Sequence, residues 1–374
     1  MFRSLNPSLE IDLNRLRENI LYEKNLLDPY GIRVMGVNKV FNGLKSTAKA
    51  LVDAGIEWIA ESRLENLEKI SGLKCKKVLL RSPLLSEIAE TVRLADLALV
   101  TELAILKALA VEAKKQSKGF EVLLMIDMGD LREGIWFENF SEILSLVQAA
   151  LASPELKIYG IGTNFNCFGA IKPSAKKIED FCSIVKKLEA HLNFHFPIVS
   201  GGNCTSFHLI HKGQSLHGIN ELRIGGLHQF GIEYVDTKYV EGFHHSKMPI
   251  ERVVSDLYQL RAEVIEVNIK PTVPHGEAGV DAFLKVKKFS DRGLRRRAIL
   301  ALGRQDLPAE NIWPIDESIF ILGQTSDHTI VEIHDSRSSY PVGSVIAFEI
   351  DYTALLHACQ SPSIKKTFRG VEID

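Results

Sequence analysis

Cysteine is scarce and scattered. The 374 residues include five cysteines (Cys75, Cys167, Cys182, Cys204 and Cys359), an odd number with no CxxC pair, so neither a disulfide framework nor a clustered zinc site is expected. No charge of one sign dominates. Lys plus Arg (45) against Asp plus Glu (47) leaves a formal net charge of -2, and no basic block is suited to following a phosphate backbone, so no nucleic-acid partner is expected. Long apolar runs are lacking too: stretches such as 143–154 fall short of a membrane span, and the opening MFRSLNPSLEIDL has no cationic segment followed by an apolar one. No membrane partner is expected, and a reducing, cytoplasmic setting fits the cysteine usage. What is present, 45% apolar and 25% charged residues, is ordinary globular composition in a chain too long for one small core.

From residue 12 to about 230, short apolar or β-branched runs alternate with longer amphipathic ones, the signature of repeated βα units around a parallel sheet. The expected strands cover 33–40, 57–62, 76–83, 97–102, 120–129, 157–165, 196–203 and 221–226. Eight such strands, with helices such as KPSAKKIEDFCSIVKKLEAHL between them, predict a TIM-type (β/α)8 barrel. After about residue 245 the pattern turns to strands without intervening helices, separated by turn-rich segments such as PTVPHGEAG, which predicts a smaller, mostly-β C-terminal domain. The expected division is 1–11 as an extra strand belonging to the β domain, 12–245 as the barrel and 246–374 as the β domain, with SIKKTFRGVEID a tail or a docking segment.

Barrel enzymes place their working groups at the C-terminal ends of the strands, and here those positions are polar. Strand one ends in Asn38 and Lys39, strand five runs into MGDLREG with Asp127 and Arg132, and strand six ends in Thr163, Asn164 and Asn166. Strand seven ends in SGGNCTS, and strand eight carries Arg223 before Gly225 and Gly226. A lysine at the mouth of a barrel is partly desolvated, which favours the neutral amine, and a neutral amine is a Schiff-base nucleophile. A solvated or ion-paired lysine is the commoner meaning of such a position, so placement alone does not decide it. SGGNCTS followed by FHLIHKG, and the Gly225–Gly226 pair, each aim main-chain N–H groups outward. Either loop alone is as consistent with a tight turn and helix cap. Together, on adjacent strands, they suit a phosphate. An imine-forming lysine and a phosphate site on one rim suggest pyridoxal 5'-phosphate.

The stretches GVNKV, DMGDLREGI, GIGTNF, SGGNCTS, ELRIGG and ILALGRQD, with SDH near the end, resemble the alanine racemase superfamily, in particular its ornithine racemase-like amino acid racemases. The resemblance extends over nearly the whole chain. It implies pyridoxal 5'-phosphate on Lys39, Arg223 beside the pyridine nitrogen, and Asn164, the turn Asn203, Thr205 and Ser206, and Gly225 and Gly226 as further cofactor-binding residues. Arg132 would approach the substrate carboxylate. It further implies a head-to-tail homodimer, with Asp281 and the segment 304–306 of one chain facing the cofactor of the other. The reaction so implied is racemisation of a free amino acid, with ornithine or another basic amino acid as substrate, through an external aldimine and a Cα carbanion.

The sequence also departs from that pattern. The segment after Lys39 is Val40, Phe41, Asn42, Gly43 instead of alanine-aspartate-alanine-tyrosine, and Phe283 stands near the place of the tyrosine that supplies the second base. Racemisation needs an acid/base group on each face or one mobile group. Lys39 serves one face, and Asp281, then Cys167 or His275, are the candidates for the other. Cys204 stands where serine is more frequent and Leu284 where glycine is usual, with Thr205, Ser206 or Ser363 able to replace a missing hydroxyl. No metal is expected, although His328, His357 and Cys359 keep open a metal- and cofactor-dependent D-amino acid lyase or aldolase on the same plan. A non-catalytic carrier of the cofactor and a pure scaffold are the remaining alternatives. The extra β domain and Arg132 weigh against the carrier, and the polar strand ends against the scaffold.

Overall fold

The computed structural model describes residues 7–246 and 252–370. They fall into two compact units, one running from Leu13 to His245 and the other joining the first described residues up to Asp12 to Ser246 and beyond. In chain order the first strand is β1 (Ser8–Asp12), followed by α1 (Leu13–Leu27), β2 (Arg33–Val37), α2 (Lys45–Asp53), β3 (Trp58–Glu61), α3 (Leu64–Lys69), β4 (Lys76–Leu79), α4 (Ile88–Leu94), β5 (Leu97–Val100) and α5 (Leu103–Lys115). Then come β6 (Phe120–Asp127), β7 (Ile135–Trp136), α6 (Phe140–Leu151), β8 (Leu156–Gly162), α7 (Ala175–Leu192), β9 (Ile198–Asn203), α8 (Phe207–His211), β10 (Glu221–Ile224) and α9 (Gly226–Phe230). The short pair β11 (Ile232–Glu233) and β12 (Lys238–Tyr239) ends the larger unit.

Eight of these strands run parallel in the order β5-β4-β3-β2-β10-β9-β8-β6, and β5 pairs with β6 to close the barrel. The strands are short and buried on both faces; all four residues of β3, β5 and β10 are buried. A sheet covered by helices on one side and filled on the other leaves no face for water, which is why the strands read as apolar runs without alternation. The interior is filled by side chains from around the ring, among them Met35, Val37, Trp58, Leu99, Met125 and Tyr159. Capping sharpens α7: Ser174 Oγ accepts from the main-chain N–H of Lys177, and Asn193 closes the helix in a left-handed conformation.

The second unit is an antiparallel sheet. Its strands are β13 (Tyr258–Pro271), β14 (Leu294–Leu300), β15 (Ile312–Pro314), β16 (Phe320–Gln324), β17 (Thr329–Glu332) and β18 (Val345–Ile350), followed by α10 (Tyr352–Gln360) and β19 (Lys365–Arg369). The order is β15-β18-β13-β14-β17-β16, and β1 pairs antiparallel with β13 and parallel with β19. Strict alternation of buried and half-buried residues along 258–264 marks β13 as a strand with one face in a core. Of the segment read as a tail or docking piece, Lys365–Arg369 form β19 and residues 371–374 lie outside the described residues, while an added helix, α10, starts where Asp351 accepts from the Ala354 N–H at 2.9 Å. Among the described residues no helix is long and apolar enough to cross a membrane.

Candidate active site

The polar strand ends lie together around one mouth of the barrel. β2 stops at Val37 and turns through a short 3-10 segment, Lys39–Phe41, which leaves Lys39 half-buried beside the fully buried Asn38 and Val40. Among the described residues no hydrogen bond or ion pair engages its amine. The strand that leads into the Lys39 turn is tied to α9, since Gln229 Nε2 donates to the Val37 carbonyl at 3.0 Å.

Arg223 projects from β10 and is 4% exposed. Its Nη1 donates to Ser200 Oγ at 2.5 Å and its Nη2 to the Thr163 carbonyl at 2.6 Å, so one planar group spans β8, β9 and β10. Burial pushes the guanidinium down from its ordinary range while the buried Glu221 two residues earlier pulls it back up, and an arginine so shifted is still a cation. Glu221 itself, hydrogen-bonded by the Tyr159 hydroxyl, is pushed up by burial.

The turn after β9 is organised by Asn203. Its Oδ1 accepts from the Thr205 N–H at 2.8 Å and the Thr205 hydroxyl at 2.7 Å, while its Nδ2 donates to Asn164 Oδ1 at 3.1 Å and the Phe165 carbonyl at 2.7 Å. Ser206 Oγ donates to the Gly201 carbonyl at 2.7 Å. Both hydroxyl hydrogens are thus used within the turn, and an anion held here competes for them with Asn203 and Gly201. Gly226 opens α9 against Tyr234; a Cβ there would lie 2.7 Å from its ring and hydroxyl oxygen. The Gly226 N–H donates to Cys204, whose thiol burial pushes up to about 12, with Lys39 the nearby cation opposing that rise. The loops of β9 and β10 and the Lys39 turn are therefore neighbours.

Two buried polar atoms at the end of β8 have no protein partner: Thr163 Oγ1 and Asn164 Nδ2. A buried amide N–H without an acceptor is rare and fits a bound group that supplies one. With an unengaged amine, a buried cation and two N–H-bearing loops around it, the donor set suits pyridoxal 5'-phosphate.

The sequence-predicted residues Lys39, Asn164, Asn203, Thr205, Ser206, Arg223, Gly225 and Gly226 are brought together here. Arg132 reaches the same rim but is ion-paired with its own neighbour Glu133, and both act electrostatically on Arg223. Asp281 lies in the other unit, where its Oδ1 accepts from the N–H groups of Phe283 (2.9 Å) and Lys285 (3.0 Å) and its carboxylate pairs with Lys287. Those N–H groups and Lys287 hold its carboxyl below the usual range. Of the other second-face candidates, His275 is exposed in that same unit, whereas Cys167 is on the barrel rim, accepting from Asn203 Nδ2 at 3.2 Å. Among the described residues the one cluster spaced for a metal is His208, Glu233 and Asp236, not His328, His357 and Cys359. Lys212 ion-pairs with Asp236 of that cluster.

Glu61 is not among the residues expected from the sequence. It sits at the end of β3, fully buried beneath the Lys39 turn, and the same strand-end rule that singled out Lys39 would have found it.

The family described as alanine racemase, N-terminal domain, matches residues 11–230. The chain is 38% identical over 365 residues to an ornithine racemase of Acetoanaerobium sticklandii, covering 96% of this chain and 99% of that one. It is 35% identical over 364 residues to a lysine racemase of Thermotoga maritima, covering 97% and 98%. Among solved structures, an alanine racemase from Bacillus anthracis with bound L-Ala-P superposes with a TM-score of 0.73 at 14% identity, over 99% of this chain and 96% of that one.

Proposed function

The chain belongs to the family of the alanine racemase N-terminal domain, and from that membership we propose that it is a pyridoxal 5'-phosphate-dependent racemase interconverting the L and D forms of a basic amino acid, ornithine or lysine. The observation that carries the cofactor is the unengaged amine of Lys39 set beside the β9 and β10 loops. The choice of a basic substrate is supported by the ornithine and lysine racemases that match the chain along nearly its full length.

When bound, pyridoxal 5'-phosphate acts as an electron sink that acidifies the substrate Cα–H. Lys39 Nζ would hold it covalently, and the lysine amine would take or return the substrate Cα proton on its own face. Arg223 presents a permanent cation where a pyridine nitrogen would lie, which disfavours a further proton there and limits side reactions. Asn164 Nδ2 would supply a hydrogen bond from a buried position, and the β9 turn and Gly225–Gly226 would hold the phosphate. Arg132 is assigned to the substrate carboxylate, for which it must exchange its pairing with Glu133. Asp281, ionised at neutral pH, is assigned as the base of the opposite face, because Phe283 carries no proton. A head-to-tail homodimer in the cytoplasm is part of the same proposal.

The test is to incubate the enzyme and pyridoxal 5'-phosphate with each single-enantiomer amino acid in heavy water, then separate enantiomers and measure deuterium at Cα. Ornithine or lysine should yield the mirror-image form carrying one deuterium, faster than alanine. If no amino acid inverts, or only alanine does, the proposal is wrong.

A further inference from the structure

The turn that bears Lys39 is gripped from the neighbouring strand by a carboxylate that the proposed chemistry does not use. Glu61 Oε1 accepts from Asn38 Nδ2 at 2.7 Å, Oε2 accepts from Asn66 Nδ2 at 3.1 Å, and the carboxylate also accepts the main-chain N–H of Gly43. Asn38 and Gly43 are the two ends of the turn, immediately before Lys39 and four residues after it. Asn38 is fixed from its other side, its Oδ1 accepting from Thr47 Oγ1 at 2.8 Å. The turn has little freedom elsewhere. Asn42 and Gly43 are both left-handed (φ 52° and 71°), and a Cβ on Gly43 would lie 2.8 Å from the Asn66 Cα and carbonyl oxygen.

Every neighbour hydrogen-bonded to Glu61 is a donor. An ionised carboxylate accepts from all three, whereas a protonated one carries an O–H facing N–H groups and must lose part of the grip. Burial pushes the carboxyl up to about 7, against the opposing effects of Asn38, Asn66 and Lys69. On β2, β4, α2 and α3, which surround this strand end, Lys69 of α3 is the charged side chain that acts on Glu61; its Nζ also donates to the Asn42 carbonyl at 2.8 Å and to Asn66 Oδ1 at 3.2 Å.

We infer that Glu61 is a positioning residue for Lys39: its ionised carboxylate clamps both ends of the 38–43 turn in the shape that presents the amine at the barrel mouth, and its protonation releases the clamp. The inference rests on Lys39 being the lysine that takes the cofactor. It adds to that reading a pH-sensitive control of cofactor uptake supplied by a residue outside the catalytic set.

The experiment measures pyridoxal 5'-phosphate affinity, from the absorbance of the bound cofactor, between about pH 5.5 and 8.5 for the wild type, Glu61→Gln and Lys69→Met. Below neutrality the wild-type affinity should fall roughly tenfold more per pH unit than that of Glu61→Gln, whose remaining slope belongs to the cofactor and lysine themselves. Near pH 8 the Gln variant should bind at least about tenfold more weakly, since its amide turns an NH2 group against donors. Lys69→Met, an exposed change, should keep the extra step and move its midpoint to higher pH, even if overall affinity changes through the lost Asn42 contact. Parallel curves for wild type and Glu61→Gln would overturn the inference. If Glu61→Gln does not fold, an unmoved midpoint in Lys69→Met overturns it alone. A wild type that takes up no cofactor at any pH would instead overturn the cofactor reading, and this inference with it.

Discussion

Arg223 reaches from β10 to the end of β8, where its Nη2 donates to the main-chain oxygen of Thr163 at 2.6 Å. With Nη1 held by Ser200, the side chain acts as a rigid brace across three strands as well as a cation in the barrel mouth. A lysine keeps the charge and cannot make both bonds in that plane. Arg223→Lys should lose about 1–3 kcal/mol of stability, read in a thermal melt, because a buried acceptor is left unsatisfied. Its racemase activity should fall roughly 100-fold through misplacement of the charge.

Asn203 is the hinge of the turn after β9 and uses both ends of its amide. Asn203→Asp keeps the acceptor for Thr205 and sets a second oxygen against Asn164 Oδ1 and the Phe165 carbonyl. Cofactor affinity should weaken by roughly 10- to 100-fold, the cost of one or two lost buried hydrogen bonds, with a smaller change in the melting temperature. Equilibrium titration with the cofactor measures the first quantity and a melt of the unloaded protein the second.

Glu61 also links stability to pH. Its folded-state value, raised by burial to about 7, lies above the ordinary 4.5, so the folded protein binds the proton more tightly than the unfolded chain does. Its contribution is fully present below the unfolded value and is lost as pH rises through about 7. Unfolding of the unloaded protein should therefore show a contribution of about 1–3 kcal/mol that decreases from acidic toward alkaline pH and is missing in Glu61→Gln. Within that window, stability and Lys39 positioning pull in opposite directions: the ionised carboxylate that holds the turn is the costlier form to bury.

All eight barrel strands were legible because burial on both faces turns each into an apolar run between turn residues. Most predicted strand ends run too far: the first expected strand extends to Val40, whereas β2 ends at Val37, where the chain enters the 3-10 turn and Asn38 directs its side chain to Glu61. A buried polar contact of that kind depends on a partner 23 residues away and leaves no periodic mark. The β7 strand of two residues and the closing β19 were missed for the same reason, each existing only through its pairing partner. At the site, the polar residue types at strand ends were visible in sequence. The pairing of Arg132 with Glu133 was not, because charged neighbours pair or part according to the turn between them.

The most direct measurement is to reduce the cofactor-loaded enzyme with borohydride, digest it and locate the modified lysine by mass spectrometry. The account predicts a single pyridoxyl group, on the peptide containing Lys39, and predicts that Lys39→Ala takes no label and loses at least about 100-fold in racemisation of ornithine and lysine. A label on another lysine, or a Lys39→Ala protein that still inverts either amino acid at the wild-type rate, would contradict it.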